Sequence, residues 1–236
     1  MKILAMDTSN QPMALALVED NRVLSEKLTN EKRNHSVQLL PMIAEMMQEV
    51  NWTPTMLNRV VVAQGPGSYT GVRIGVTTAK TLATTLNIEL VGVSSLAVLA
   101  NNIDQVDTLV VPIFDARNDN MYAGIYKNNA VIWPDQHTNI TKLIANLTEF
   151  NSKIIVVGEY QNFVEQLTAS FAERITFAKG LANLPKGSSV AQLGTAKAPE
   201  KWPHRFVPNY LRVSQAEADW QAKHPNEIEK DYVEEV

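Results

Sequence analysis

The sequence predicts an α/β fold made of two copies of the same unit. A short apolar strand that ends at an aspartate, followed by a β-hairpin, occurs near the N-terminus and again in the middle of the chain. In both places a helix and then a second buried strand follow the hairpin. A repeated order of elements is typical of duplication, and strands that alternate with helices indicate an α/β architecture.

Five segments make up each copy. Those of the first copy are Ile3–Met6, Ala14–Val18, Val23–Lys27, Ser36–Val50 and Val60–Ala63. Those of the second copy are Val111–Phe114, Met121–Tyr126, Val131–Trp133, Thr141–Leu147 and Ile154–Val157. When Asp7 is aligned with Asp115, the copies run without a gap through both hairpins. We therefore expect two duplicated lobes with a cleft between them.

Length and composition are those of an ordinary globular chain. The chain has 236 residues, a formal net charge of −4 and no cysteine. The negative charge disfavours nucleic-acid binding through bulk electrostatics, and the lack of cysteine excludes disulfides and thiolate metal sites. No apolar run reaches the roughly 20 residues of a membrane helix, and the N-terminal run is too short for a signal peptide. We expect a cytoplasmic protein that contacts no membrane.

A glycine-rich turn joins the strand Val60–Ala63 to the next helix, Val72–Leu86, and its residues are Gly65, Pro66, Gly67, Gly71 and Gly75. Free N–H groups at a helix N-terminus favour a phosphate site. Glycines on one helix face instead favour close packing against a neighbouring element. Because the spacing matches neither the dinucleotide fingerprint nor the Walker pattern, we expect a structural turn, with phosphate binding as the alternative.

Asp7 and Asp115 end the first strand of each copy and are the candidates for cofactor binding. In a two-lobed fold they would face each other across the cleft, where carboxylates can hold magnesium. The alternative is that each aspartate caps the turn after its strand. For each residue taken alone, turn capping is the stronger interpretation.

The helix Ser36–Val50 has a wider apolar face than a single core requires. Its apolar residues spread over roughly 160° of the helical wheel, whereas a surface helix needs a stripe of about 100°. Either a partner protein covers one edge, or the helix is buried between two elements of the same chain. On the next helix Arg73 and Lys80 lie along one polar line, which is either a solvated face or the rim of an interface.

No pattern of a metal-dependent or hydrolytic enzyme occurs in the sequence. The four histidines are isolated, without HxxxH or HExxH spacing, and no serine lies in a G-x-S-x-G elbow. We therefore expect no metal and no catalytic residue.

Four segments carry a resemblance to a known family: DTS at 7–9, GPGSYTGVRIGVTTAKTLA at 65–83, DARNDNMYAGIY at 115–126 and PNYLR at 208–212. With them the chain resembles the TsaB (YeaZ) family of bacterial tRNA threonylcarbamoyladenosine biosynthesis. The resemblance spans nearly the whole length. It implies an actin-like fold, of the sugar-kinase and Hsp70 type, with two duplicated lobes around a cleft.

The resemblance also implies a relative that has lost its catalysis. The related catalytic subunit TsaD carries a metal-binding HxxxH shortly after its glycine segment, and Ser95 and Leu99 stand at those positions here. Neither side chain can replace an imidazole ligand. The loops after Asp7 and Asp115 also lack the glycines of phosphate loops in active actin-like ATPases.

The implied role is that of a non-catalytic scaffold subunit without a cofactor. It would bind and stabilise TsaD, which modifies the adenosine next to the anticodon, and would help to recruit the ATPase TsaE. It would meet tRNA only through the complex and could form a homodimer when TsaD is absent. The expected partner-binding residues are Leu39, Leu40, Ile43, Met46, Met47, Arg73, Val76 and Lys80.

Two other functions stay open from the sequence. A cleft with facing carboxylates also fits an ATP-dependent phosphotransferase in which Asp7 and Asp115 hold magnesium. A peptidase, a role formerly attached to the wider family, would need a metal or a nucleophile.

We expect three parts in the chain. Residues 1–103 form an N-terminal, partner-binding lobe, and residues 104–207 form a C-terminal lobe. Residues 208–236 form a helical C-terminal segment that ends in an acidic tail with seven acidic side chains and two lysines.

Overall fold

The computed structural model describes residues 1–30 and 35–212. The elements of the first half are β1 (Lys2–Asp7), β2 (Met13–Glu19), β3 (Arg22–Thr29), α1 (His35–Glu49), β4 (Arg59–Ala63), α2 (Tyr69–Leu86), β5 (Glu89–Val93) and α3 (Ser95–Ala100). Those of the second half are β6 (Thr108–Asp115), β7 (Asn120–Lys127), β8 (Ala130–Asn139), α4 (Ile140–Thr148), β9 (Lys153–Gly158), α5 (Val164–Phe171), β10 (Ile175–Phe177) and α6 (Gly187–Thr195).

The two halves form two five-stranded mixed sheets with the same strand order. The first sheet runs β3-β2-β1-β4-β5, and the second runs β8-β7-β6-β9-β10. In each sheet the first three strands pair antiparallel, and the last two extend the sheet in parallel. Every segment expected from the repeat overlaps one of these elements. The predicted α/β fold of two duplicated actin-like lobes is confirmed.

Strand β1 is buried on both faces, which explains its unbroken apolar run. Leu4 and Met6 pack in the core with α1 and α2, whereas Ile3 and Ala5 pack in the core with α6. In the second sheet α4 and α5 cover one face and α3 covers the other. Helices α3 and α6 therefore lie between the sheets. None of the described helices combines the length and apolar character needed to cross a membrane.

Helices α3 and α6 each pack on the sheet of the other half of the chain. Helix α3 precedes the second sheet in sequence but packs on it, and α6 follows that sheet but packs on the first one through Val190. Asn101, at the end of α3, donates a hydrogen bond from Nδ2 to Gln192 Oε1 in α6 at 2.9 Å, which joins the two helices. The boundaries 1–103 and 104–207 stay predictions, and the packing crosses them in both directions.

Helix α2 begins at Tyr69, earlier than the predicted Val72, because Ser68 caps it. The Ser68 hydroxyl oxygen accepts a hydrogen bond from Gly71 N at 3.3 Å. Serine is a favoured N-cap because its side chain satisfies an N–H group that has no partner within the helix. At the other end Asn87 stops the helix in the left-handed conformation, with φ of +52°.

Residues 208–212 form no helix, in contrast to the expected helical segment. Asn209 N donates to the Gln64 carbonyl oxygen at 2.7 Å, and the Tyr210 ring stacks on Tyr69 with ring centroids 5.1 Å apart. These contacts hold the chain in a non-helical conformation along the start of α2. The remainder of the expected segment and its acidic tail, residues 213–236, lie outside the described residues.

The first turns of α2 lie directly on the loop between β1 and β2. A Cβ atom at Gly71 would meet the Thr8 carbonyl oxygen, and one at Gly75 would meet the Thr8 hydroxyl. The Thr8 hydroxyl donates to the Gly71 carbonyl oxygen at 2.7 Å, and Ser68 N donates to the Ser9 carbonyl oxygen at 2.7 Å. Protein atoms fill the space beside these glycines, which is the arrangement expected from the close-packing interpretation.

The turn before α2 is equally tight. Gly65 and Gly67 have positive φ angles of +117° and +156°, and the bond between Gly65 and Pro66 is a cis peptide. A Cβ at Gly65 would approach the Asn209 backbone, and one at Gly67 would approach the Ser9 backbone. The turn is therefore closed from both sides by other segments of the chain.

We expect Gly71→Ala to destabilise the chain, although alanine is ordinarily better than glycine in a helix by up to about 1 kcal/mol. The added methyl group would overlap the Thr8 carbonyl oxygen, and overpacking of a closed contact costs about 1–3 kcal/mol. Denaturant unfolding followed by circular dichroism measures the change. Thr77→Ala, at an exposed position of the same helix, is the control and should be neutral or stabilising. A Gly71→Ala chain as stable as wild type would contradict the packing argument.

Candidate functional site

A cleft opens between the lobes where β1, β6 and β9 reach their carboxyl ends, and it holds a cavity of about 260 Å³. The loop after β1 contributes Asp7, Ser9 and Asn10 to its lining, and the opposite side contributes Phe114, Glu159 and Asn183. Crevices at the carboxyl ends of parallel strands are the usual ligand sites of open α/β sheets. The cleft is therefore the first candidate for a ligand site.

Asp7 is the most deeply buried acid of the cleft, with only 1% of its surface exposed. Its Oδ1 atom accepts a hydrogen bond from Ser9 N at 2.8 Å. Burial raises the pKa of this carboxyl group, while hydrogen bonding from Ser9 and the charge of His35 oppose the rise. The carboxyl group is consequently harder to ionise than one in water.

Asp115 forms the same kind of turn in the second half. Its Oδ1 atom accepts a hydrogen bond from Arg117 N at 2.7 Å, and its Oδ2 atom accepts one from Asn162 Nδ2 at 2.6 Å. The hydrogen bond from the second residue after the aspartate, seen at Asp7 and at Asp115, is the geometry of a capped turn. Turn capping thus accounts for both residues, and their role in cofactor binding stays a prediction.

Ser95 and Leu99 lie on α3 between the two sheets. They stand at the positions that the resemblance gives to the two metal-binding histidines of TsaD. Both are buried, and Leu99 packs in an apolar cluster with Phe114. The Ser95 hydroxyl has no hydrogen-bond partner among the described residues. Within residues 1–30 and 35–212, no three acidic or histidine side chains gather closely enough to hold a metal ion.

Most of the expected partner-binding residues are buried in the core of their own lobe. Five of them are 5% exposed or less: Leu39, Ile43, Met46, Met47 and Val76. They pack in one apolar cluster with residues of β1, β2 and β4. The expectation that these five form the centre of a partner surface is therefore corrected, because the sheet and the facing helix already cover them.

The other three expected residues lie nearer the surface. Leu40 is 54% exposed. Arg73 is exposed, and its Nη1 atom donates to the Tyr69 hydroxyl at 2.7 Å. Lys80 Nζ donates to the Phe206 carbonyl oxygen at 3.3 Å. The two cations of α2 thus lie beside the segment that ends the described chain.

An exposed apolar stripe runs along the outer side of α1. We call it the α1 stripe, and its members are Val37, Leu40, Pro41 and Ala44. Their spacing places them on one helix face. Val37 is 65% exposed, and Pro41 and Ala44 are also exposed. Leu40 is the one member of the stripe among the partner-binding residues predicted from the sequence, since a helical wheel does not tell which part of an apolar face stays exposed.

Ion pairs with the edge strand β3 flank the α1 stripe. Lys27 Nζ lies 2.9 Å from Glu45 Oε2 and 2.8 Å from Glu49 Oε1. The Ser25 hydroxyl donates to Glu49 at 3.1 Å. The hydrogen bond from Lys27 lowers the pKa of Glu49, so the pairing persists through the neutral pH range. These contacts join the exposed side of α1 to the edge strand β3.

Known proteins resemble this chain in both sequence and structure. A protein-family model described as "TsaD: tRNA N6-adenosine threonylcarbamoyltransferase" matches residues 22–220. The tRNA threonylcarbamoyladenosine biosynthesis protein TsaB of Bacillus subtilis is 39% identical over 229 residues, which cover 93% of this chain and 98% of that protein. The TsaB protein of Escherichia coli is 32% identical over 141 residues, covering 58% of this chain and 61% of that protein.

Solved structures share the fold. A Pseudomonas aeruginosa protein, described as uncharacterized with similarity to peptidase YEAZ, superposes with a TM-score of 0.77 at 24% identity and covers 89% of this chain and 99% of its own. YeaZ from the same organism superposes with a TM-score of 0.68, also at 24% identity, over 83% of this chain and 92% of its own. The span of the family model and the full-length identity to the Bacillus subtilis protein show that the chain belongs to the TsaB (YeaZ) family of tRNA threonylcarbamoyladenosine biosynthesis.

Proposed function

We propose that the chain is a non-catalytic subunit that binds and stabilises a TsaD-type transferase through the α1 stripe and the exposed face of α2. The stripe is the observation that carries the proposal. Single exposed apolar residues are normal on protein surfaces and need no explanation. The opposite face of α1 already packs in the core of its own lobe. A contiguous apolar face that stays exposed on such a helix is typical of an interaction site.

The neighbouring helix supplies the remaining area and the rim. A stable interface of ordinary size buries about 1,600 Å² in total, more than four residues of one helix provide. The exposed face of α2 therefore contributes, with Arg73 and Lys80 at its edge. Interfaces combine an apolar centre with a polar rim in which arginine is enriched, and this arrangement agrees with that pattern.

The family supports TsaD as the partner. The relatives carry the name of the tRNA threonylcarbamoyladenosine pathway, and the matching family model is described as the transferase TsaD. A transferase of the same duplicated fold presents equivalent helices, so two related chains can pair helix to helix. The same surface can pair two copies of this chain when TsaD is absent, because a two-fold interface uses one patch twice.

We assign tRNA contact and TsaE recruitment to the complex rather than to the isolated chain. The net charge of −4 disfavours direct binding of tRNA. We place the assembly in the cytoplasm. A chain without cysteine forms no disulfide and therefore suits a reducing compartment.

Two features of the site support a non-catalytic role. Ser95 and Leu99 occupy the expected metal position and cannot ligate. Thr8 fills the space beside Gly71 and Gly75, so a phosphate would have no room next to these two glycines.

An ATP-dependent phosphotransferase is the second candidate, and the position of Asp7 in the cleft favours it. Its mechanism would need a second carboxylate on the metal, whereas Asp115 is already held by Asn162 and Arg117. Nucleotide turnover by the isolated chain separates the two candidates.

We expect Leu40→Asp combined with Ala44→Asp to weaken association with TsaD by at least about 100-fold, since two carboxylates would lose water in an apolar contact. Both positions are exposed, so the isolated chain should stay folded, with a loss of about 1–2 kcal/mol in the free energy of unfolding because aspartate is a poor helix former and the two carboxylates repel each other at i and i+4. Isothermal titration calorimetry with purified TsaD measures the affinity.

The matched control is Leu181→Asp, at a leucine that is 71% exposed in the second half of the chain. This variant should bind TsaD as the wild type does. Full affinity of the double variant, or an equal loss in the control, would contradict the assignment of the α1 stripe.

In a reconstituted modification assay with TsaD, TsaE and an activated threonylcarbamoyl donor, we expect omission of this chain to lower tRNA modification by more than tenfold. The isolated chain should neither modify tRNA nor consume ATP above a protein-free blank. Modified nucleosides are quantified by mass spectrometry and ATP by phosphate release. Phosphate release from ATP by the chain alone would show ATP hydrolysis, which would contradict the non-catalytic assignment and favour the ATP-dependent candidate.

A further inference from the structure

We propose that polar side chains hold the two halves of the fold in one fixed relative orientation, with Asn102 and Asp135 as the residues that do so. The first body is the first sheet with α1, α2 and α6, and the second body is the second sheet with α3, α4 and α5. Within the described residues the chain crosses between the bodies twice, at Ser94 before α3 and at residues 184–186 before α6. The inference rests on the contacts at these two crossings and does not depend on the proposed function.

Apolar packing between the two bodies is slight. In the apolar clusters formed by the described residues, Val98 of α3 is the only member that packs with the other body. Its neighbours Leu96 and Leu99 pack on the second sheet instead. Domains of one chain ordinarily move relative to each other unless a large apolar interface joins them. The polar contacts at the crossings therefore decide whether these two bodies move.

A buried carboxylate holds the first crossing. The Ser94 hydroxyl donates a hydrogen bond to Asp135 Oδ2, and the Tyr126 hydroxyl donates one to Asp135 Oδ1 at 2.5 Å. A Cβ atom at Gly124 would meet Asp135 Oδ1, so a glycine in β7 makes room for this carboxylate. Burial raises the pKa of Asp135, and the two hydroxyl groups oppose the rise. Because hydrogen bonds to charged groups are stronger than neutral ones, the contact ties the end of β5 to β8.

Asn102 holds the second crossing from the end of α3. Its Nδ2 atom donates a hydrogen bond to the Leu184 carbonyl oxygen at 2.6 Å, and its Oδ1 atom accepts one from the Ser189 hydroxyl at 2.8 Å. One side chain thus contacts both the segment that leads into α6 and the first turn of α6. The hydrogen bond from Asn101 to Gln192 lies beside it. These contacts join α3, in the second body, to α6, in the first body.

A change in the angle between the bodies would change the interlobe cavity. Asp7 and Ser9 line the cavity from the first body, and Phe114 and Glu159 line it from the second body. Leu184, whose carbonyl oxygen accepts the hydrogen bond from Asn102, lines the cavity as well. The contacts at the crossings therefore keep the cavity at a constant width.

Double electron–electron resonance between two spin labels measures the distance between the bodies. The chain has no cysteine, so Thr84→Cys on α2 and Ala169→Cys on α5, both at exposed positions, give one labelled pair. We expect a single narrow distance distribution for this pair. Asn102→Ala combined with Asp135→Ala should broaden the distribution by at least about twofold, because bodies without these contacts are free to move.

Two substitutions of the same kinds, made within the second body, are the matched control. Asn146→Ala removes a hydrogen bond inside α4, and Asp107→Ala removes an exposed ion pair with Lys127. The chain with both control substitutions should keep the narrow distribution. Circular dichroism should show every labelled chain folded.

Ser189→Ala removes only one hydroxyl group from the second crossing and should also broaden the distribution. It is the deciding variant if the Asn102→Ala, Asp135→Ala chain does not fold. The proposal is overturned if the wild type already gives a broad distribution, if the deciding folded variant keeps the narrow one, or if the control broadens equally. None of these outcomes bears on the association with TsaD, so the two proposals fail separately.

Discussion

The contact between the start of α2 and the loop after β1 is the constraint on which the rest of the structure depends. Without a Cβ at Gly71, the helix can approach the Thr8 carbonyl oxygen closely enough for a hydrogen bond to form across the contact. This approach sets the position of α2, against which α1 packs. Backbone and side-chain atoms of Thr8 fill the space beside Gly71 and Gly75. One close contact thus fixes how the start of α2 lies on the loop after β1.

The repeat made the topology predictable from the sequence, because a strand buried on both faces leaves an unbroken apolar run and a hairpin leaves a polar turn. The turn-capping role of Asp7 and Asp115 was also within reach. The exchange of α3 and α6 was not. Ser95–Ala100 and Gly187–Thr195 are short apolar helices, and nothing in their periodicity tells which of two equivalent sheets each will cover. That choice is made by tertiary packing alone.

Helix α1 shows where a helical wheel loses information. Its apolar residues form one wide arc, but the structure divides that arc into a buried part centred on Met46 and an exposed part centred on Leu40. A helical wheel gives the width of the apolar arc, but it does not show which part of the arc the sheet covers. Met47 is 5% exposed, so a charged substitution there would be buried without a partner. Such a substitution would report on the stability of the core and not on the interface. A substitution that separates docking from folding must come from the α1 stripe.

The duplicated turns at Asp7 and Asp115 show how two copies of one local structure acquire different chemistry. Each carboxylate accepts a hydrogen bond from the backbone two residues later, so the local sequence has fixed the same geometry twice. Their surroundings differ because Asn162 satisfies Asp115, whereas Asp7 faces a cavity lined by another acid and by amides. In the first copy Ser9 alone makes the cap, through its backbone N–H at 2.8 Å and through its side chain, and burial raises the pKa of the Asp7 carboxyl group. In the second copy two segments hold the carboxylate, since Arg117 N donates to one oxygen and Asn162 Nδ2 donates to the other. The same turn therefore gives a buried aspartate with one neighbouring donor residue in the first lobe and an aspartate held by two residues in the second.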